Sequence, residues 1–242
     1  MLKFELVLPC YNEGRSLETV LTRAVDAAKE SGYCTQDFQL VVVDNGSKDA
    51  TQDVLTALKQ KELAEWFRVV PVMPNRGYGN GIWQGLKTTT AQYVGWSHAD
   101  QQCDPKDAFR ALQIVESGRS KNLLVKGERY GRAPRDRFVS RVFEAFARFI
   151  LGLRCREVNA QPKVFMRELL NNIPKPPLDF SFDLYVLYRA IKSGFEIRTI
   201  SVFFPPRVHG VSNWSARFFG RYRTIWGMIR YMLRLSGEEG RV

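Results

Sequence analysis

The sequence predicts an α/β fold: a mostly parallel sheet with helices on both faces and a basic amphipathic helix at the end of the chain. Two patterns carry this expectation. Short β-branched or aromatic runs recur at residues 5–8, 38–43, 67–72, 93–97 and 123–126. Between them apolar residues repeat at helical spacing, as in Leu17, Val20, Leu21, Ala24 and Ala28, then Val54, Leu55 and Leu58, then Phe109, Leu112 and Val115. Strand–helix alternation of this kind gives parallel pairing with both faces covered. Ligands then bind beyond the carboxyl ends of the strands, where the strand order reverses. The residues just after each strand are therefore the ones to inspect.

The second half reads differently. Residues 138–151 form a helix candidate rich in Phe and Arg, residues 180–193 another, and 196–204 a strand. A polar loop at 205–212 leads to a last basic helix from about residue 215 to 235. No repeat, low-complexity tract or linker interrupts the chain. At 242 residues it is long enough for one sizeable core with an appendage and too short for two full domains. The expected division is 1–212 for the main domain and 213–242 for the helix and tail.

Hydrophobic residues at 45% and charged residues at 25% are ordinary for a soluble protein, whereas a formal charge of +11 is not. It points to an anionic partner: nucleic acid, a phosphorylated substrate or an acidic membrane surface. Cys10, Cys34, Cys103 and Cys155 are scattered singly, which disfavours a zinc site or disulfide framework and fits a reducing compartment. The N-terminus has no signal-peptide layout, and no apolar run approaches the roughly 20 residues needed to span a bilayer. A cytoplasmic protein follows, with a peripheral position on a membrane compatible with it.

After the first strand comes Pro9-Cys10-Tyr11-Asn12-Glu13. Neither a Gly-x-Gly-x-x-Gly nor a Walker-type loop is present, so dinucleotide binding is disfavoured. Pro9 and Tyr11 offer a rigid turn and an aromatic face beside a base, and Asn12 and Glu13 polar groups for a base or ribose. A turn with a helix cap explains the segment equally well. After the second strand, Val43-Asp44-Asn45-Gly46-Ser47 presents a carboxylate able to accept hydrogen bonds from uracil, guanine or ribose. Asn45-Gly46 suits a turn, and Ser47 or Asp49 suits the cap of the next helix, which leaves Asp44 free.

After the fourth strand, His98-Ala99-Asp100-Gln101-Gln102 places Asp100 and Gln102 two apart in an irregular segment, so both oxygens can turn toward one hard cation. Magnesium or manganese held there would neutralise a diphosphate leaving group. His98 suits manganese better than magnesium as a third ligand, and a hydrogen-bonded supporting place fits it as well. For Asp100 the plain alternative is a helix cap, a task for which Asp104 competes better. Asn75-Arg76-Gly77-Tyr78-Gly79-Asn80-Gly81 opens a helix with three alternate glycines, which lets backbone approach a ligand at a phosphate-favouring helix N-terminus.

The ordered set of Leu8-Pro9-Cys10-Tyr11-Asn12-Glu13, Val42-Val43-Asp44-Asn45-Gly46-Ser47-x-Asp49, Asn75-Arg76-Gly77-x-Gly79 and Ala99-Asp100-x-Gln102-x-x-Pro105 resembles glycosyltransferase family 2. The branch it is most similar to is the dolichol-phosphate mannosyltransferases and other polyprenyl-phosphate glycosyltransferases. Gly127-Glu128-Arg129-Tyr130, Ser140-Arg141, Phe182-Asp183 and Arg207-Val208-His209-Gly210-x-Ser212 extend the likeness to at least Ser212. The resemblance implies a GT-A fold, a UDP- or GDP-sugar donor and a Mg2+ or Mn2+ ion. By position, Pro9, Tyr11, Asn12, Glu13, Val43, Asp44 and Asn45 would hold the nucleotide sugar, with Gly77, Ala99 and Asp100. Asp100 and Gln102 would hold the metal. Arg129 and Arg207, with Arg137, Ser140 and His209, would face phosphates, a role that suits the planar guanidinium fork. The pattern departs from the family at His98 and Asn45, where Asp is usual, and at Asn213, where Lys is frequent.

In the last helix Phe218, Tyr222, Ile225, Trp226, Ile229, Met232 and Leu233 share one face, edged by Arg223, Arg230 and Arg234 and by Arg217 and Arg221. Such a face suits the plane of an anionic membrane, and equally the protein core or a second subunit. Phe138, Val142, Phe146 and Phe149 with Arg137, Arg141 and Arg148 repeat the theme. The expected chemistry is an inverting displacement at the anomeric carbon. A lipid-phosphate acceptor needs no general base; a sugar hydroxyl needs one, and Asp183 is the candidate, unless it is a helix N-terminal charge. Glycan-hydroxyl transfer is the alternative within this chemistry. An inactive family member, a nucleotidyltransferase and a basic nucleic-acid module are the other classes, the last lacking any nucleic-acid motif.

Overall fold

The computed structural model describes residues 2–118, 120, 122–205 and 218–242, with backbone alone for 218–223. Seven strands, β1 (Phe4–Cys10), β2 (Phe38–Asp44), β3 (Phe67–Pro71), β4 (Tyr93–Trp96), β5 (Leu123–Tyr130), β6 (Lys163–Met166) and β7 (Glu196–Phe203), form one sheet in the order β3-β2-β1-β4-β6-β5-β7. The helices are α1 (Leu17–Glu30), α2 (Thr51–Leu58), α3 (Tyr78–Lys87), α4 (Lys106–Ser117), α5 (Pro134–Leu151), α6 (Phe182–Lys192) and α7 (Phe218–Glu239). Alternate strand residues point to opposite faces. Phe4, Leu6 and Leu8 of β1 therefore join a core with α1, α2 and α4. Val7, on the other face, joins one with α3, α5, α6 and α7. Both layers the alternation predicts are present.

β1 pairs in parallel with both β2 and β4. The chain winds outward through β2 and β3 and returns to the far side of β1, so the topological switch point lies between β1 and β4. β5 and β7 run parallel to each other, and β6 is antiparallel to both β4 and β5. The carboxyl ends of β1, β2, β4, β5 and β7 thus share one edge.

The sequence pattern misses β6. Its four residues begin at a lysine and lie between Pro162 and a 3-10 turn at Arg167–Asn172, so no alternation long enough to read exists. Close approach replaces it as the cause of pairing: a Cβ on Gly127 would sit 2.1 Å from the Gln161 carbonyl oxygen. α5 also starts a turn earlier than expected, because Pro134 is preorganised for a first helical turn.

β6 brings two lysines face to face, Lys126 of β5 and Lys163 of β6, both 0% exposed. Lys163 is ion-paired to Asp183, while Lys126 Nζ donates to the carbonyls of Gly127 (2.5 Å) and Arg156 (2.8 Å). Burial pushes the Lys126 amine down to about 8 from its usual 10.5. Between those two values the unfolded chain binds more protons than the folded one, so this group's contribution to stability rises with pH. Wild type should gain about 2 kcal/mol on Lys126→Met from about pH 7.5 to about pH 9.5 in urea unfolding. A pH-independent difference would show that the amine is not held down.

α7 divides its apolar face between core and surface. Met228, Met232 and Leu235 are buried in the core with α5 and α6, whereas Trp226 and Leu233 remain exposed beside Arg230 and Arg234. The helix is tied down by an Arg189–Glu239 ion pair at 2.5 Å. No helix among the described residues is long and apolar enough to cross a membrane. All four cysteines are free thiols.

Candidate active site

The loops after β1, β2, β3 and β4 line the switch-point edge. The loop after β1 is stapled to the loop after β2. The Asn12 amide donates to Ser47 Oγ (3.1 Å), the Lys48 amide to Asn12 Oδ1 (2.8 Å), the Glu13 amide to Thr51 Oγ1 (3.1 Å) and the Gly14 amide to Asp49 Oδ2 (3.1 Å). Asp49, a candidate cap of the next helix, accepts from the Thr51 amide at the start of α2 (3.1 Å). Asp44 is not left free, contrary to expectation. It is buried, and it accepts from the Ser47 amide and from Gln52 Nε2, both at 2.9 Å. Asp44 itself closes the Asn45–Ser47 turn by accepting from the Ser47 amide. Pro9 and Tyr11 stay partly accessible at the rim, and Val43 is core.

Asn45 has a structural reason to be an amide. Its Nδ2 donates to the Gly77 carbonyl at 3.0 Å, which an aspartate could not do. The three glycines of the loop after β3 pack closely against neighbouring protein. Gly77 has φ +118, and a Cβ there would lie 2.4 Å from the Leu178 carbonyl oxygen. Gly79 packs on the Pro177 and Asp179 carbonyls, and Gly81 on the Asn45 side chain. At Gly77 and Gly79 the close neighbour is the 177–179 segment.

The metal-candidate loop follows β4. Asp100 is 7% exposed, and its Oδ1 accepts from the Gln102 amide at 3.1 Å. Gln102 Nε2 donates to the Pro205 carbonyl at 2.9 Å, tying this loop to the end of β7. Asp104, not Asp100, accepts from the first amide of α4, that of Lys106. His98 stands half-buried with its ring 6.2 Å from that of Tyr78, and burial holds its pKa below the usual 6.5 against the pull of Asp100 and Asp183. Among the described residues no group of three or more His, Cys, Asp or Glu side chains gathers to form a cage. One carboxylate and one amide instead fit a hard cation that completes its shell with water and substrate phosphate.

At the end of β5, Arg129 Nε is 2.5 Å from Glu157 Oε2, and the other oxygen, Oε1, takes Arg132 Nη1 at 2.7 Å. Arg132 Nη1 also donates to Ser140 Oγ (2.9 Å), and the Arg129 guanidinium lies 5.1 Å over the Phe204 ring. Burial, and then the Arg129 charge, push Arg132 below its usual range. Arg129 is near enough to the metal-candidate loop to act electrostatically on His98 and Cys103. Arg137 is exposed on α5. Arg207 and His209, with Asn213, lie outside the described residues.

Asp183 is 1% exposed. It takes Lys163 Nζ at 2.5 Å and Gln161 Nε2 at 2.9 Å on Oδ1. The same amide nitrogen reaches the Tyr78 hydroxyl at 3.0 Å. A carboxylate compensating a buried ammonium is poorly placed to accept an acceptor's proton, since protonation would strand Lys163.

The non-glycine residues with left-handed backbone among the described residues are Asn12 (φ 59), Gln101 (φ 63) and Glu157 (φ 48). They sit after β1, after β4 and before β6, all on this one edge. Strain of this kind concentrates where a fold holds side chains for a task. Arg132, Glu157 and Gln161 are the residues that sequence reasoning missed. Each acts through a partner 22 or more residues away, or, for Arg132 with Ser140, across a loop-to-helix junction.

The chain belongs to glycosyl transferase family 2, whose model matches residues 5–177. It is 33% identical over 118 residues to the undecaprenyl-phosphate 4-deoxy-4-formamido-L-arabinose transferase of Serratia proteamaculans (strain 568), covering 48% of this chain and 34% of that one. The chain thus spans about a third of that relative's length. It is 28% identical over 223 residues to the polyprenol monophosphomannose synthase of Mycolicibacterium smegmatis, covering 87% of this chain and 80% of that one. The crystal structure of glucosyl-3-phosphoglycerate synthase from Mycobacterium tuberculosis, solved with Mn2+, UDP and glucosyl-3-phosphoglycerate, superposes with a TM-score of 0.73 at 20% identity, covering 100% of this chain and 81% of that one. The fold is the GT-A fold.

Proposed function

We propose that the protein transfers a sugar, with inversion, from a nucleoside-diphosphate sugar to a polyprenyl phosphate at an anionic membrane surface. Pro9, Tyr11 and the Asp44–Asn45 turn line the nucleoside side of the switch point. Asp100 and Gln102 would hold a Mg2+ or Mn2+ ion beside the donor diphosphate. When bound, that ion neutralises charge on the departing nucleoside diphosphate. Arg129 supplies fixed positive charge on the phosphate side. Two relatives named for undecaprenyl-phosphate and polyprenol monophosphate chemistry support the acceptor class.

The observation that carries the choice of acceptor is the buried Lys163–Asp183 pair. It takes out of service the carboxylate that a sugar hydroxyl would need as base, whereas a lipid phosphate is already anionic and needs none. The outer face of α5 agrees. Phe138, Val142, Phe146 and Phe149 are exposed along one stripe, Phe149 at 81%, with Arg137, Arg141 and Arg148 beside them. An aromatic stripe edged with arginines matches the interface of an anionic bilayer. The inner face of α5 carries Ser140 and Glu144 toward the Arg132–Glu157 pair. The membrane-facing helix therefore also builds the phosphate side of the site.

A transfer assay with labelled UDP- and GDP-sugars and Mn2+ tests the proposal. The acceptors are polyprenyl phosphate in anionic vesicles and, separately, soluble glycans. Label is expected in the lipid product; label in glycan alone would reassign the acceptor.

A further inference from the structure

Glu157 is an acid set among Arg154 and Arg156, and its geometry is not that of a surface ion pair. Its two carboxylate oxygens each hold a different arginine, at 2.5 and 2.7 Å, with all three side chains 10–12% exposed. Its backbone is left-handed, and its amide is pinned by Glu144 Oε1 at 2.7 Å. The shape is that of one tetrahedral or planar oxyanion seated in a fork of two guanidiniums with Ser140 Oγ beside it. That is how a phosphoryl group binds arginine.

We propose that Glu157 is an internal occupant of a phosphoryl-binding subsite formed by Arg129, Arg132 and Ser140, and that a substrate phosphate binds by taking the two arginines from it. This rests on the reading of the edge as a nucleotide-sugar and phosphate site, and adds Arg132 and Glu157 to it. Glu157 is a positioning residue. It holds both guanidiniums aligned and spaced while the subsite lacks phosphate, and it lowers apparent phosphate affinity by competing for them. A phosphate dianion, with more charge and a third oxygen, wins the exchange where a weaker anion such as chloride does not.

The shared ligand chemistry is a phosphoryl oxyanion, from either the donor diphosphate or the acceptor monophosphate. Two probes distinguish them in calorimetric titrations of the full chain: inorganic pyrophosphate with Mn2+, and a short isoprenyl monophosphate. Glu157→Gln keeps size and shape, and is expected to tighten the probe that uses this subsite on the order of tenfold. Arg132→Met, with Glu157 intact, is expected to weaken the same probe by a similar factor. In transfer assays Glu157→Gln should lower the KM of the corresponding substrate. Equal or weaker binding of both probes by Glu157→Gln, or unchanged binding by Arg132→Met, would overturn the exchange. UDP with Mn2+ titrated on the same samples reads the nucleotide site separately, so its intact binding alongside either negative result condemns this inference and spares the functional reading. Loss of UDP binding by wild type condemns the reading itself.

Discussion

Asp100→Ala is expected to lower sugar transfer by at least about 10³-fold and to remove its dependence on added Mn2+. Asp100 is the one carboxylate of the His98–Gln102 loop, and Gln102 alone is a neutral donor that holds a divalent cation weakly. The fold should survive. The hydrogen bond that Asp100 accepts from the Gln102 amide is worth about 1 kcal/mol, and the loop keeps its Gln102–Pro205 tie. Initial rates across a Mn2+ series, with circular dichroism on the same sample, separate the two effects. A correctly folded variant with wild-type rates would refute the metal assignment.

Arg129→Ala is the second large effect, a fall in kcat/KM of about 10²- to 10³-fold. The side chain sits where the sheet aims it, at the carboxyl end of β5, flanked by the Phe204 ring and the Glu157 carboxylate. Lysine should rescue only part of the loss, because a point charge cannot present two parallel N–H groups to a phosphate. Truncation also leaves Glu157 paired with Arg132 alone of the two arginines, so a modest loss of stability should accompany it. Steady-state kinetics of Arg129→Ala and Arg129→Lys, with thermal midpoints, test this. Equal activity in all three forms would remove Arg129 from the site.

Much of this was legible because it is periodic or local. The strand–helix alternation carries the layers, the switch-point rule carries the site's edge, and the Asp100–Gln102 spacing carries the candidate metal pair. What stayed hidden is held by contacts far apart in sequence. β6 is four residues long and exists because Gly127 and Gly95 let its backbone in, which no periodicity records. Glu157 and Arg132 are 25 residues apart, and each looks alone like one more charge on a basic surface. Asp183 reads as a free helix-start carboxylate until Lys163 is placed beneath it by a strand the pattern does not show. Asn45 looks like a weakened aspartate, yet its amide nitrogen binds Gly77. The last helix shows one apolar face by period, and only packing reveals that Met228, Met232 and Leu235 are inside while Trp226 and Leu233 face out.

We propose that this edge moves sugar from a nucleotide to a lipid phosphate with a divalent cation. The most direct measurement is that transfer reaction itself, using wild type, a panel of UDP- and GDP-sugars, and polyprenyl phosphate in anionic vesicles with and without Mn2+. Label is expected in a lipid-extractable glycosyl phosphate, appearing with at least one donor and only with the cation. Efficient transfer that ignores chelator, or label that enters a glycan hydroxyl and never the lipid, would contradict it.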